Sequence, residues 1–121
     1  MGENLTFAKE VLQRTMELLR SAPSWAIPDE DMRDIQYRIQ IAQNALIQNE
    51  RKIWLRTKEG KEMVGDFGVA STKLLGAIER LIKSEVEGIS LIKDLKAALG
   101  EVELHAKRLN EETRKRSMVV T

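Results

Sequence analysis

Cysteine is absent from this chain of 121 residues, so disulfide bonds, thiolate nucleophiles and cysteine-ligated metals are excluded. Aromatic residues make up only 4% of the chain, so its apolar residues are mostly aliphatic. Proline occurs only at Pro23 and Pro28, and the whole stretch that follows Pro28 has none. Because proline interrupts helices, this long stretch can be helical with few breaks.

Neither sign of charge is in excess, since 20 Lys and Arg residues oppose 19 Asp and Glu residues and leave a net charge of +1. No strong field therefore steers nucleic acid or anionic lipid towards the protein. The chain also lacks a charge-free apolar run long enough to span a membrane. Its N-terminus lacks the basic and apolar regions of a signal peptide. We expect an intracellular, cytoplasmic protein.

Apolar residues recur at helical spacing along the chain, which is 42% hydrophobic and 32% charged. They return every three or four residues, as on one face of a helix. We predict a single all-α domain over residues 1–121, an antiparallel helical bundle of three to four helices. It would have a long second helix and a long, bent or broken C-terminal helical half. The predicted helices cover about residues 5–21, 29–57, 61–83 and 85–116, with a frayed tail at 117–121.

The C-terminal half can form either one helix or two. A single heptad phase runs unbroken from Met63 to Leu109, which would give one kinked helix. Against this, Ser84 and Glu87 have the spacing of a capping box, and both Ser84 and Gly88 are weak helix formers. We favour a break or strong bend in this region.

The second predicted helix is apolar on two sides. Its main stripe covers about a third of the helical wheel and consists of Met32, Ile35, Ile39, Ala42, Leu46, Asn49 and Ile53. Tyr37, Ile41 and Leu55 lie almost opposite, with Ile47 and Trp54 between the two sides. Such a helix is central in a flattened bundle, carries scattered exposed residues, or binds another chain. We predict a partner-binding face formed by Tyr37, Ile41, Ile47, Trp54 and Leu55.

Asn49 occupies a position where the main stripe calls for an apolar residue. A polar residue inside an apolar seam can fix helix register or oligomeric state at a cost in stability. It can equally be an amide whose hydrogen bonds are satisfied at the end of a bundle. The sequence leaves both interpretations open.

The third predicted helix carries a strip of small residues, Gly65, Gly68, Thr72 and Gly76, opposite its main apolar face. The strip either forms a groove for a partner helix or makes this helix the least stable one. Each glycine costs a helix about 0.5–1 kcal/mol relative to alanine. We include these residues in the predicted partner-binding set. Gly60, just before them, predicts a helix stop or turn.

The sequence contains little that could support catalysis. His105 is the only histidine, and no Glu-x-x-His pair or glycine-rich phosphate loop occurs. Two acid pairs, Asp31 with Asp34 and Glu59 with Glu62, have the spacing that some bundles use to hold magnesium. The first pair is equally explained by the dipole of a helix start. We predict no enzyme activity, catalytic residue, metal, cofactor or small-molecule substrate.

Basic residues cluster near the C-terminus at Lys107, Arg108, Arg114, Lys115 and Arg116, interrupted by two glutamates. They predict an alternative function in nucleic-acid binding, although cations near a helix C-terminus also complement its dipole. A further alternative is membrane action through the amphipathic first helix. We consider both a nucleic-acid partner and a membrane partner less well supported.

The pattern as a whole favours a non-enzymatic protein–protein interaction module. Such a module would act as an adaptor, scaffold or regulator through an apolar helix face. Its partner would be another protein or a second copy of the chain in a homo-oligomer. Burial of apolar surface, at about 25 cal/mol per Å² before association costs, would drive the binding.

Overall fold

The computed structural model describes the backbone of residues 3–23, 25–83 and 89–119, and the side chains of 5–23, 25–83 and 91–116. In these ranges the chain forms four α-helices: α1 (Glu3–Ser21), α2 (Asp29–Asn49), α3 (Lys58–Lys83) and α4 (Ile89–Val119). A short 3₁₀ helix, Ile53–Arg56, connects α2 to α3 and is called the crossover turn below. The prediction of an all-α helical bundle is confirmed.

The helices form a ring in which α1 packs against α2 and α3, and α4 packs against the same two helices. Lys9, near the start of α1, lies 2.7 Å from Glu50, just after α2, so these helices are antiparallel. The hydrogen bond that Lys9 donates to Glu50 lowers the pKa of Glu50 below the usual carboxyl value. Glu59 in the first turn of α3 lies 2.8 Å from Arg116 near the end of α4, which makes that pair antiparallel as well.

α2 and α4 are neighbours that run parallel to each other. Asp31 at the start of α2 lies 2.9 Å from Lys96 near the start of α4, and Asn49 at the end of α2 contacts Asn110. Because α2 and α3 lie diagonally across the ring, the chain crosses the end of the bundle between them. The crossover turn makes this connection and packs on α3.

All four helices contribute to one hydrophobic core. The largest of its fully buried side chains are Phe67, Leu12, Leu19, Ile27, Ile35, Ile39, Leu46, Leu74, Ile78, Leu95, Leu99 and Leu109. Ile27, in the linker between α1 and α2, closes the core at one end. Every buried side-chain polar atom in the described residues has a hydrogen-bond partner.

The second helix is shorter than predicted, because α2 ends at Asn49 and not near residue 57. Lys52 already has an extended backbone, with φ −74° and ψ 127°, and the crossover turn follows directly. At this point α2 has reached the end of the ring. The chain must turn across that end to bring Trp54 and Leu55 against the core, which a continued helix could not do.

The C-terminal half is two helices, as favoured above, since α3 ends at Lys83 and α4 begins at Ile89 and packs antiparallel to it. The proposed capping box at 84–87 lies outside the described residues. Gly60 does not stop a helix but lies in the first turn of α3. At the other end, α4 continues past residue 116 to Val119, and residues 120–121 of the predicted frayed tail lie outside the described part.

Asn49 is a buried amide whose hydrogen bonds are satisfied at the end of the bundle. Its amide nitrogen donates to the carbonyl oxygen of Ala45 at 2.7 Å and to Oδ1 of Asn110 at 2.8 Å. Its Oδ1 accepts a hydrogen bond from the hydroxyl of Thr113, which in turn accepts one from Nε1 of Trp54 at 2.8 Å. This network joins α2, α4 and the crossover turn.

Candidate interaction surface

Three of the five side chains predicted to form the outer face of α2 are exposed. The exposed fractions are 67% for Tyr37, 42% for Ile41 and 52% for Ile47. They are not confined to one side of the helix. Ile41 faces the boundary with α4, whereas Ile47 faces the boundary with α1.

Trp54 and Leu55 do not belong to the α2 face, which corrects the predicted set. Both lie in the crossover turn and pack against the hydrophobic core. The Trp54 ring is further fixed by its hydrogen bond to Thr113 and by the Arg116 guanidinium, 4.3 Å from the ring centroid. These two residues therefore stabilise the end of the bundle. Their place on the outer face of the helical wheel came from assuming that α2 continued through them.

Ile41 shares a shallow groove with Leu104 of α4. Leu104 is 45% exposed, and Gly100, one turn earlier, has open space where a side chain would be. The groove is lined by Ile41, Gly100, Glu103, Leu104, Ala106, Lys107 and Asn110. Tyr37 lies one turn before Ile41 on α2. We call Tyr37, Ile41, Gly100 and Leu104 the α2/α4 face.

A fixed ion pair borders this face. Arg38 donates hydrogen bonds to Glu103 of α4 and, one turn back along α2, to Asp34 at 3.4 Å. The hydrogen bond to Glu103 raises the pKa of Arg38 above its usual value, with smaller contributions from Asp34. Arg38 therefore links α2 to α4 beside the apolar side chains.

Ile47 lies in a different and more polar environment. The groove between α1 and α2 is lined by Lys9, Glu10, Gln13, Arg14, Glu17, Gln40, Gln43 and Ile47. Ile47 is the only apolar residue in that set, so it is an isolated exposed side chain and not part of the α2/α4 face.

The small-residue strip of α3 is partly covered by the chain itself. The Phe7 ring of α1 lies over Gly68, so that a Cβ added there would be 3.2 Å from it. Gly65 has open space, and Thr72 donates a hydrogen bond back to the Gly68 carbonyl. At Gly76 only the tip of a flexible arginine lies nearby. The strip therefore provides room for Phe7 at one point and is open elsewhere.

The basic residues near the end of α4 are not one continuous patch. Lys107, Arg108, Arg114 and Lys115 are exposed, but on the helical wheel they flank Glu111, which is also exposed. Arg116 is half-buried and bound to Glu59, Glu112 and the Trp54 ring. This mixed charge is less suited to phosphate contacts than the sequence cluster indicates.

The apolar side of α1 is used inside the bundle. Its members Leu5, Ala8, Leu12, Met16 and Leu19 are all buried. Membrane insertion through this side would require the bundle to open. No helix in the described part of the chain is long and apolar enough to cross a membrane.

Three of the four residues in the two acid pairs form separate ion pairs with basic residues. Asp31 pairs with Lys96, Asp34 with Arg38, and Glu59 with Arg116. His105 is half-buried with its ring centroid 6.4 Å from that of Phe67. Within the residues that the structure describes, no group of three or more metal-ligating side chains comes together.

The sequence pattern alone did not reveal Leu104 as a surface residue of interest. The signal was present, because Leu104 falls outside the three-four spacing of Leu95, Leu99, Val102 and Leu109 on the same helix. Its pairing with Ile41 could not be found in that way, since it depends on α2 and α4 being parallel neighbours.

Comparisons with protein-family models, with curated proteins and with solved structures find no match for this chain.

Proposed function

We propose that this protein is a non-enzymatic protein–protein interaction module, acting as an adaptor, scaffold or regulator through its α2/α4 face. The observation that carries the proposal is the exposed pair of Ile41 and Leu104, contributed by two different helices to one groove. Single exposed apolar residues are ordinary on a protein surface, but adjacent ones from packed helices form a rigid apolar contact area.

The chemistry of the face suits a partner helix or another apolar surface. Tyr37 supplies a large ring at low cost in conformational entropy, as aromatic anchors in interfaces do. Gly100 leaves the surface of α4 open beside Leu104, so a partner can approach the helix closely. Arg38, Glu103 and Lys107 supply a charged border around the apolar centre.

Site-specific photo-crosslinking in cells tests this function. Leu104 is replaced by a photoreactive phenylalanine derivative in the full chain, and crosslinked products are identified by mass spectrometry. The matched control carries the same derivative at Glu62, an exposed polar position on α3 outside the predicted partner-binding residues. We expect discrete protein adducts from position 104 that are absent from position 62.

A second arm ties those adducts to the face. Adding Ile41→Asp to the variant that carries the photoreactive residue at position 104 should abolish them, because a carboxylate would have to be desolvated on binding. Equal adduct patterns from positions 104 and 62, or adducts that survive Ile41→Asp in a folded protein, would rule out the α2/α4 face as the binding surface.

A further inference from the structure

The outward surface of α4 carries a narrow apolar strip of its own. Ala97, Gly100 and Leu104 follow each other at spacings of three and four residues, pointing away from the core positions Leu99 and Val102. Ala97 and Leu104 are exposed, and Gly100 has no side chain to hold a neighbour away. Small residues in such a strip let a second helix pack closely against the first, with Leu104 as the largest contact.

Opposite charges flank this strip on the side of α4 that is away from α2. Glu101 lies one turn before Leu104, and Arg108 lies one turn after it. Both side chains are exposed, and neither forms an ion pair with any residue in the described part of the chain. Close to Leu104 this flank of α4 is therefore acidic on its N-terminal side and basic on its C-terminal side. Farther along the strip, exposed Lys93 and Glu111 have the opposite order of charge.

A second α4 that runs in the opposite direction presents charges that complement those of the first. If a second α4 packs antiparallel on the first about a two-fold axis through Leu104, Glu101 of each copy lies opposite Arg108 of the other. The symmetry makes this contact twice. In a parallel arrangement the flank that carries Glu101 and Arg108 would lie on opposite sides of the contact in the two copies, so neither residue would meet its oppositely charged counterpart. Charges beside a helix seam determine partner and orientation in this way.

The neighbouring helix fits the same arrangement. Because α2 runs parallel to α4 in one copy, an antiparallel α4 pair also places α2 antiparallel to α2 of the second copy. Ile41 lies at the level of Leu104, since both line one groove, and therefore also lies near the two-fold axis. Tyr37 lies one turn away from the axis, where it can cover the edge of the contact.

We propose that the partner of the α2/α4 face is a second copy of this chain, docked antiparallel with α4 on α4. The proposal rests on the proposed function and names its partner. The apolar part of the contact is small, so the dimer is reversible and belongs to the weaker class of interfaces. Glu101 and Arg108 contribute specificity and orientation more than affinity.

Sedimentation equilibrium of the full chain at low salt, over a range of concentrations, tests the proposal. Wild type should be a monomer–dimer mixture. Glu101→Arg and Arg108→Glu each create two like-charge contacts and should raise the dissociation constant by roughly tenfold or more. The swapped double variant, Glu101→Arg with Arg108→Glu, restores both contacts and should dimerise like wild type with an unchanged net charge.

Two controls separate the specific contact from general charge effects. Glu62→Arg on α3 and Arg14→Glu on α1 make the same changes in charge at other exposed sites and should leave dimerisation unaltered. Circular dichroism should show the same helix content in all variants. Each contact is exposed, so raising the salt concentration should shrink the differences between the single variants and wild type.

Three outcomes would overturn the proposal: a wild type that is monomeric throughout, a swapped variant as weak as the single reversals, or equal effects at positions 101 and 62. Failure here can be told apart from failure of the proposed function. If wild type is monomeric but position 104 still crosslinks to other proteins, only the dimer proposal is contradicted. If wild type is monomeric and position 104 gives no crosslink, both the dimer and the proposed function are contradicted.

Discussion

Asn49 is a polar side chain at a core position with all of its hydrogen-bonding groups satisfied. Both hydrogens of its amide nitrogen are donated, to Ala45 and to Asn110, and its oxygen accepts from Thr113. A leucine in the same place could bury more apolar surface but would leave Asn110 and Thr113 without their partner. The network explains why the apolar stripe of α2 is interrupted at its last residue.

Replacing Asn49 by alanine should reduce the free energy of unfolding by about 1–3 kcal/mol, because the hydrogen bonds of its buried amide to Asn110 and to the half-buried Thr113 are lost. Urea denaturation followed by far-ultraviolet circular dichroism measures this. The matched control is Asn44→Ala, an exposed position on the same helix whose side chain bonds only to Gln40. That control should change stability by less than about 0.5 kcal/mol. Equal losses at both positions would show that the network contributes nothing beyond the asparagine itself.

At the scale of elements, the contact between the crossover turn and α3 depends on Gly60. A Cβ at this position would lie 2.6 Å from Cα of Leu55 and closer still to the carbonyl oxygen of Trp54. Both are backbone atoms, so a side chain there could be accommodated only by moving the turn. Gly60 is needed for close packing and not for an unusual φ, since no described glycine has a positive one.

Gly60→Ala should therefore destabilise the protein by about 1–3 kcal/mol or more, as overpacking does. The same substitution at Gly65, in the interior of α3 with open space around it, should stabilise by about 0.5–1 kcal/mol through helix propensity. Thermal and urea unfolding of the two variants and wild type should show a lower free energy of unfolding for Gly60→Ala and a higher one for Gly65→Ala. A loss of stability in Gly65→Ala would mean that this part of the strip is packed and not open.

At the scale of the whole molecule, one side of α4 packs in the core and the opposite side is exposed to solvent. Leu99 is fully buried among residues of the bundle, whereas Leu104, little more than one turn away, is 45% exposed. The two leucines therefore contribute differently to the free energy of unfolding. Leu99 stabilises the fold, and Leu104 remains accessible at the surface.

Leu99→Ala should cost about 2–5 kcal/mol of unfolding free energy, as cavities in packed cores do. Leu104→Ala should change the stability of the monomer by less than about 0.5 kcal/mol. Urea denaturation at low protein concentration, where any dimer has dissociated, makes the comparison. If Leu104→Ala were as destabilising as Leu99→Ala, the residue would be part of the fold and the α2/α4 face would lose its centre.

Much of this architecture could be predicted from apolar spacing. The four helices and the buried stripe from Ile35 to Asn49 follow from it. The break between α3 and α4 does not, because the apolar spacing continues through it; the weak helix formers Ser84 and Gly88 favoured the break. The end of α2 could not be predicted, because Ile53, Trp54 and Leu55 continue the helical pattern although the chain turns there. Short 3₁₀ connections have no periodicity of their own and are decided by where the neighbouring helices end.

The spacing of apolar residues along the chain is enough to specify that it forms amphipathic helices. Which of those helices are neighbours depends on how they pack. Packing α2 parallel to α4 brings Ile41 beside Leu104, and the diagonal connection places Trp54 against the core. Helix formation depends on local spacing, whereas a shared surface depends on contacts between residues more than sixty positions apart.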